Sequence, residues 1–435
     1  MTQLKSFIIN AMTIRTITTS VLIIITIIKF DSAIGETFMT HISIKVKQYT
    51  PDISLKLANN KKEDKFADYQ SLMDFDVAGR PWRETLSRSF KTDKELAKVF
   101  NNINRVDDEV YKVIATRITP YIAQLMDKDD QACPIRIQYV PEQNEMDVAP
   151  QEMGDQLGED NMMPEGTSIV HRYPNRVLFL VHNICGSYCR HCTRKRMVSD
   201  PLNVISMDRI RNSVEYLRQH PEVQDVLLSG GDPLLLTDDK LDQILSMIRE
   251  ARPDLKILRI GSRLPAQLPT RVTPELCQVL VKNRVTLLNT QINHPKEITP
   301  LFVEHMALLR NSGIMLGNQS VLIKGVNDSV EVMRDLVMEL ISNGIRPYYV
   351  YSMDPAPGNS KFQVSYDRML EIYHGIRGWV SGPAIPTFIV DGIGGLGKMP
   401  VQPEYVRKQE IDGKTKLIAT NFEGRSVDMT FLLDE

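Results

Sequence analysis

Five cysteines are all that the 435 residues carry, and three of them crowd into one short stretch, so there is no disulfide framework. Strong charge is missing as well. The 52 Lys and Arg nearly cancel the 54 Asp and Glu, leaving a formal net charge of −2. That balance gives nucleic acid or an anionic membrane no electrostatic footing. Long apolar runs are also absent. The strongest, Val21-Leu-Ile-Ile-Ile-Thr-Ile-Ile28 within Thr18 to Phe30, is shorter than the about 20 residues a transmembrane helix needs. Gly394-Gly-Leu-Gly-Lys-Met-Pro400 has the composition of a phosphate loop, but it lacks the GxxxxGK[ST] spacing, and Met399 stands in place of Ser or Thr. What remains is ordinary globular composition, 42% hydrophobic and 24% charged, at a length suited to two or three domains.

The chain is organised around Asn183-Ile-Cys-Gly-Ser-Tyr-Cys-Arg-His-Cys-Thr-Arg-Lys-Arg196. Its Cys185-x3-Cys189-x2-Cys192 spacing can set three thiolates around one small inorganic centre. Structural zinc takes four ligands, which His191 or His182 could complete. A [4Fe–4S] cluster also usually takes four thiolates, and three leave one iron free. The spacing, with Tyr188 before the second Cys, resembles the radical S-adenosylmethionine superfamily, in which the free iron chelates the amino and carboxyl groups of that cofactor. Thiolates holding iron and sulfide call for a reducing compartment, so the cytoplasm is expected. The apolar run, preceded by Arg15 and followed by Ser32-Ala33, looks instead like a signal peptide. A translation start at Met39, or a dispensable tail, reconciles the two.

Residues 1–66 read as a poorly defined leader, polar and Lys-rich after the apolar run. Residues 67–165 read as an N-terminal helical region and linker. There Leu86, Phe90, Leu96, Val99 and Phe100, and then Val110, Val113, Ile114, Ile118 and Ile122, recur at helical spacing. Pro120 should interrupt or kink the second run. Pro141 to Gly166 reads as a long connecting segment. From residue 166 to 400 short apolar runs alternate with amphipathic ones. Strands are expected at Val177–Val181, Asp225–Leu228, Ile257–Ile260, Val285–Leu288, Met315–Gly317, Pro347–Val350 and Pro386–Val390. Helices are expected at Met207–Gln219, Asp239–Ala251, Pro274–Lys282, Pro300–Ser312, Val330–Asn343 and Val364–Gly375. Alternation implies an α/β fold with a parallel sheet, right-handed crossovers and an open or closed β/α barrel. The site then lies at the C-terminal ends of the strands. The Cys loop, Ser229-Gly-Gly-Asp232, Asp354 and Asp391 each follow a predicted strand and should share one mouth. Residues 401–435 form a C-terminal extension.

Four stretches together carry a closer resemblance: His171-Arg-Tyr-Pro-Asn-Arg-Val177, the Cys loop through Arg196, Leu227-Leu-Ser-Gly-Gly-Asp-Pro-Leu234 and Val390-Asp-Gly-Ile-Gly-Gly-Leu-Gly-Lys-Met-Pro400. From about Trp82 to about Glu423 the chain resembles lysine 2,3-aminomutase and its relatives. The resemblance implies a radical S-adenosylmethionine partial barrel and an isomerase using a [4Fe–4S] cluster on Cys185, Cys189 and Cys192, S-adenosylmethionine and pyridoxal phosphate. Lys398 matches the lysine that forms the Schiff base, a role that needs a neutral amine and hence burial or a nearby cation. Arg172 and Arg176 match the phosphate-binding arginines, whose planar forks suit that task. Ser229, Gly230, Gly231 and Asp232 match the glycine motif beside S-adenosylmethionine, where the absence of a Cβ permits close approach; Asp232 could otherwise be a cap. Gln319, in Leu316-Gly-Asn-Gln-Ser-Val-Leu322, is a further cofactor-contact candidate. Arg194 matches the position that holds the substrate carboxylate. Asp354 and Asp391 match the carboxylates around the distal ammonium of lysine. Two carboxylates in one pocket repel unless a cation joins them, which argues for a basic substrate, lysine first and arginine second.

The implied reaction moves the α-amino group from carbon 2 to carbon 3. Alternatives are arginine, glutamate or a protein-bound lysine as substrate, a radical enzyme without pyridoxal phosphate, or a zinc module. A small-molecule amino acid is the expected partner, with a flavodoxin or ferredoxin as electron donor. The chain departs from the family in several places. It has no cysteine after Cys277, so no structural zinc is expected in its tail, and a homo-oligomer is left open. Gln291 stands where a histidine is expected. Pro383, Ile385 and Ser352-Met-Asp-Pro-Ala-Pro-Gly358 differ near the pocket. His294 could face the cofactors or be structural, and Cys133 and Cys277 read as buried small hydrophobes.

Overall fold

In the computed structural model the described residues are 66–433 apart from 199, together with the backbone of three strands in the leader. The chain divides into two units, Met1–Glu63 and Asp64–Glu435. In the first, β1 (Ala11–Thr18), β2 (Val21–Ile28) and β3 (Ile42–Gln48) form an antiparallel sheet in that order. The apolar run is therefore its middle strand, which suits a stretch rich in β-branched Ile and Val. Ser32, Ala33 and Met39 lie outside the described residues.

The second unit is built on nine strands: β4 (Ile169–Tyr173), β5 (Arg176–His182), β6 (Asp225–Gly230), β7 (Ile257–Gly261), β8 (Leu287–Thr290), β9 (Met315–Val321), β10 (Arg346–Tyr351), β11 (Thr387–Gly392) and β12 (Gly397–Pro400). They lie side by side in chain order as a nearly closed partial barrel. Neighbours from β5 to β11 pair in parallel, while β4 and β12 fold back antiparallel at the two edges. Six crossover helices join the parallel strands: Met207–Gln219, Asp238–Ala251, Pro274–Lys282, Pro300–Asn311, Val330–Ser342 and Tyr366–Ile376. Each begins at a Ser or Thr (Ser206, Thr237, Thr273, Thr299, Ser329, Ser365) whose hydroxyl accepts a backbone N–H of the first turn. Their apolar stripes pack on the sheet, so Leu217, Leu245, Leu280, Phe302, Leu336 and Ile372 share one core with Phe179, Leu228 and Phe388. Among the described residues no helix is long and apolar enough to cross a membrane.

The expected barrel is present, and the expected strands and helices shift by at most a few residues. The N-terminal region differs in detail. Its helices are only four to six residues long: Tyr69–Met73, Trp82–Ser87, Asp93–Leu96, Asp108–Val113, Pro120–Gln124 and Pro134–Tyr139. Pro120 starts a helix behind the Thr119 cap rather than kinking one, because its missing N–H is not needed in the first turn. These helices enclose a separate cluster around Leu72, Phe90, Leu96, Ile122 and Tyr139. Cys133 is buried in that cluster and Cys277 in the barrel core. The connecting segment 141–166 is made of turns and irregular chain, with two short 3-10 helices, Gln143–Met146 and Asp160–Met162. The C-terminal extension is an antiparallel sheet of β13 (Val406–Ile411), β14 (Lys414–Thr420) and β15 (Ser426–Asp428).

Candidate active site

The C-terminal ends of β5 to β11 open into one cavity of about 400 Å³. Cys185, Cys189 and Cys192 line it, as do Ser229 to Asp232, Arg172, Arg176, Arg194, Gln319, Asp354, Asp391 and Lys398. These residues thus face one space. Gln291 lines it too, whereas Pro383 and Ile385 do not. His294 is structural: its Nδ1 accepts the Lys296 N–H at 3.1 Å and caps the turn Pro295–Glu297.

The Cys loop is fixed by residues that no spacing rule marks. Arg190, fully buried between Cys189 and Cys192, donates from Nη2 to Glu145 at 2.6 Å and from Nε to both Glu145 oxygens at 3.0 Å. Its Nη1 donates to the carbonyls of Ile114 at 3.1 Å and Ala115 at 3.2 Å. The linker and the helical region thereby hold the loop in place. Burial pushes all three thiols above their usual range, Cys185 furthest, and Arg263 pulls Cys189 back. Among the described residues, no three His, Cys, Asp or Glu side chains converge as a single metal ion would require. In the same cavity lining, the buried His191 Nδ1 and Arg263 Nε have no hydrogen-bond partner in the chain. Burial lowers His182 to about 4.

The glycine motif answers first to packing inside the chain. A Cβ at Gly230 or Gly231 would run into the backbone of His182 or Ile184, and Gly230 has φ +128°. Asp232 takes the capping reading. It accepts the N–H of Leu234 at 3.0 Å, the Ser262 hydroxyl at 2.7 Å, and the N–H groups of Arg263 and Leu264 at 2.8 Å. Burial raises its pKa to about 6 against those bonds.

At the opposite wall, β11 and β12 form a hairpin that sets Asp391 directly across from Lys398. The Lys398 Nζ donates to the two Asp391 oxygens at 2.9 and 3.0 Å and lies 4.9 Å from the centre of the Tyr351 ring. The expected burial or neighbouring cation is not what surrounds this lysine: its side chain is 34% exposed and its neighbour is a carboxylate. The reason is the register, which makes the two residues cross-strand partners. Gly394, Gly395 and Gly397 have φ +70°, +83° and +89°, so these glycines are needed to turn the hairpin. Tyr173 braces it, its hydroxyl accepting the Lys398 N–H at 2.9 Å.

Asp354 lies in the same cavity despite its proline-rich surround, because Glu152 accepts the N–H groups of Gly358 at 2.8 Å and Ser360 at 2.6 Å and fixes the loop. Burial, and then the Asp391 charge, raise the Asp354 pKa to about 7, with Lys398 and Arg194 pulling the other way. Arg194 donates to Glu159 from Nη2 at 2.6 Å and Nε at 3.1 Å. Burial opposes the Glu159 charge, but Arg194 outweighs it and holds the carboxyl below its usual range. Gln319 donates to the Tyr351 hydroxyl at 3.2 Å. Arg172 and Arg176 lie at the rim, their guanidinium carbons 5.5 and 4.0 Å from the Tyr173 ring centre.

The chain is similar to known proteins over most of its length. A family model described as Radical SAM superfamily matches residues 179–337, and one described as Lysine-2,3-aminomutase matches residues 373–429. An L-lysine 2,3-aminomutase of Fusobacterium nucleatum is 42% identical over 346 residues, 79% of this chain and 80% of that protein. One from Clostridium subterminale is 41% identical over 84% of this chain and 86% of its own length. A glutamate 2,3-aminomutase of Clostridioides difficile is 35% identical over 85% of this chain and 86% of its own.

Proposed function

The chain belongs to the lysine 2,3-aminomutase family, and from that membership we propose that it moves the α-amino group of L-lysine from carbon 2 to carbon 3. The observation that carries the reading is a single cavity lined by three cysteines, one lysine and two carboxylates. When bound, the [4Fe–4S] cluster and S-adenosylmethionine supply radical hydrogen abstraction, and pyridoxal phosphate carries the migrating nitrogen. Cys185, Cys189 and Cys192 would hold the cluster; three thiols facing one cavity, with the unpartnered buried His191 Nδ1 and Arg263 Nε among its lining residues, support that fit. Lys398, Arg172, Arg176 and Gln319 would hold pyridoxal phosphate, and both arginines are exposed at the rim, where a phosphate can reach their forks. Ser229 to Asp232 would shape the S-adenosylmethionine pocket, with Asp232 fixing the turn rather than reaching the ligand.

Substrate choice rests on Asp354 and Asp391. Lys398 on Asp391 already makes, within the chain, the ammonium–carboxylate contact that a lysine side chain would make. Asp354 adds a second acceptor that ionises more readily once a cation arrives. A glutamate side chain would bring a further negative charge to the same place. Arg194 would hold the substrate carboxylate through the edge that Glu159 leaves free, since Glu159 engages Nε and Nη2. A flavodoxin- or ferredoxin-type donor would reduce the cluster. The test is anaerobic incubation with S-adenosylmethionine, pyridoxal phosphate, reductant and, separately, lysine, arginine, glutamate and alanine. β-Lysine as the dominant product supports the reading; β-glutamate, or no 2,3-shift on any of the four, refutes it.

A further inference from the structure

Cys189 has a neighbour that motif reading does not reveal. Arg263 follows β7, and its backbone is anchored where Asp232 accepts its N–H at 2.8 Å and the Ser262 hydroxyl at 2.7 Å. The side chain is 5% exposed. Its Nη1 lies 2.8 Å from the Cys189 sulfur and 3.2 Å from His191 Nε2. Its Nη2 donates to Glu297 at 3.1 Å and to the side-chain amide oxygen of Gln138. The guanidinium carbon lies 5.0 Å from the centre of the Tyr139 ring. Glu297 is fully buried and held in turn by the N–H groups of Asn293 at 2.9 Å and His294 at 3.0 Å. A guanidinium gripped on this many sides has no second place to go.

We infer that Arg263 sets the reduction potential of the cluster, by donating a charged hydrogen bond to the Cys189 sulfur. The inference rests on the proposed ligation by Cys185, Cys189 and Cys192. Reduction adds one electron to the cluster and places part of that charge on its sulfurs. A cation touching a ligand sulfur stabilises the reduced form more than the oxidised form, and so raises the potential. In a site this buried the interaction escapes much of the screening of water and salt. Glu297 opposes it, but its carboxylate meets Nη2 while Nη1 meets the sulfur. Gln267 Nε2, a neutral donor 3.6 Å from the same sulfur, is the weaker neighbour. Arg263 is thus a positioning and tuning residue that acts through Cys189.

The test is a potentiometric titration of the reconstituted full chain, following the reduced cluster by electron paramagnetic resonance, with iron and sulfide assayed on each sample. Arg263→Met should disfavour reduction about tenfold, a negative shift of about 59 mV for a one-electron couple. Glu297→Gln should shift the potential the opposite way, because the guanidinium keeps its contact and loses its counter-charge. Arg263→Met leaves Glu297 buried without its cation, so the paired variant Arg263→Met/Glu297→Gln is measured beside it. It keeps the summed charge of the pair and should still shift negative. Fully loaded variants with an unchanged potential, or single variants that shift in the same direction, overturn the inference while leaving the ligand assignment intact. A wild-type chain that takes up no iron and sulfide overturns the ligand assignment, and the inference with it.

Discussion

Asp354→Asn should stabilise the ligand-free protein above neutral pH while impairing its use of lysine. In the native state burial and Asp391 hold the Asp354 proton up to about pH 7, against an ordinary value of 3.8. Between those values the native chain binds more protons here than the unfolded chain. The stability this group contributes is therefore fully present below pH 3.8 and lost as pH rises to about 7. A displacement of roughly three units at about 1.4 kcal/mol each amounts to about 4 kcal/mol. The Asn variant lacks this dependence. Its stability relative to wild type should climb by about that amount between roughly pH 4 and roughly pH 8. Urea unfolding midpoints of ligand-free wild type and variant, taken across that range without oxygen, measure the difference. A difference that stays flat with pH, or that favours the wild type increasingly as pH rises, would show that the native chain does not hold the Asp354 proton up to neutral pH.

Cys185→Ala, Cys189→Ala and Cys192→Ala should each lose bound iron and S-adenosylmethionine cleavage, since each removes the only protein thiolate on one iron; Cys133→Ala and Cys277→Ala should lose neither, and equal iron loss from Cys277→Ala would show the ligands are misassigned. Lys398→Ala should keep its iron content and lose the 2,3-shift, so full turnover with added pyridoxal phosphate would remove Lys398 from the chemistry. Glu145→Gln leaves the Arg190 charge buried and poorly paired, at a cost of about 3–5 kcal/mol; an unfolding midpoint and iron content equal to wild type would mean that this pair does not hold the Cys loop.

The barrel was legible because its strands and helices are long enough for hydrophobic period to show. Val177 to Val181 reads as a buried strand, and Met207 to Gln219 keeps one apolar stripe. The N-terminal helices were not legible at their true length, since capping by Thr92 and Thr119 ends and restarts them within one or two turns. Strand β12 was hidden behind the glycines of the turn that precedes it, and β4 by its polar His171-Arg-Tyr173. In the site, residues at strand ends gathered as the topology requires. The partners did not announce themselves. Glu145 and Glu159 belong to a linker that reads only as acidic, and Arg263 to an unremarked strand end. Each acts across long sequence separation, where no spacing rule applies. The contact between Asp391 and Lys398 depends on a hairpin register that the glycine-rich turn alone does not specify.

On the proposed reading Asp354 and Asp391 select a cationic side chain. That selection is read from the ratio of kcat/KM for lysine to kcat/KM for glutamate, in the wild type and in Asp354→Asn and Asp391→Asn. The wild type should favour lysine, and each variant should lose about 2–5 kcal/mol of transition-state stabilisation for lysine, with little loss for glutamate. Lysine kinetics unchanged in both variants, or a wild type that prefers glutamate, would remove Asp354 and Asp391 from the choice of substrate.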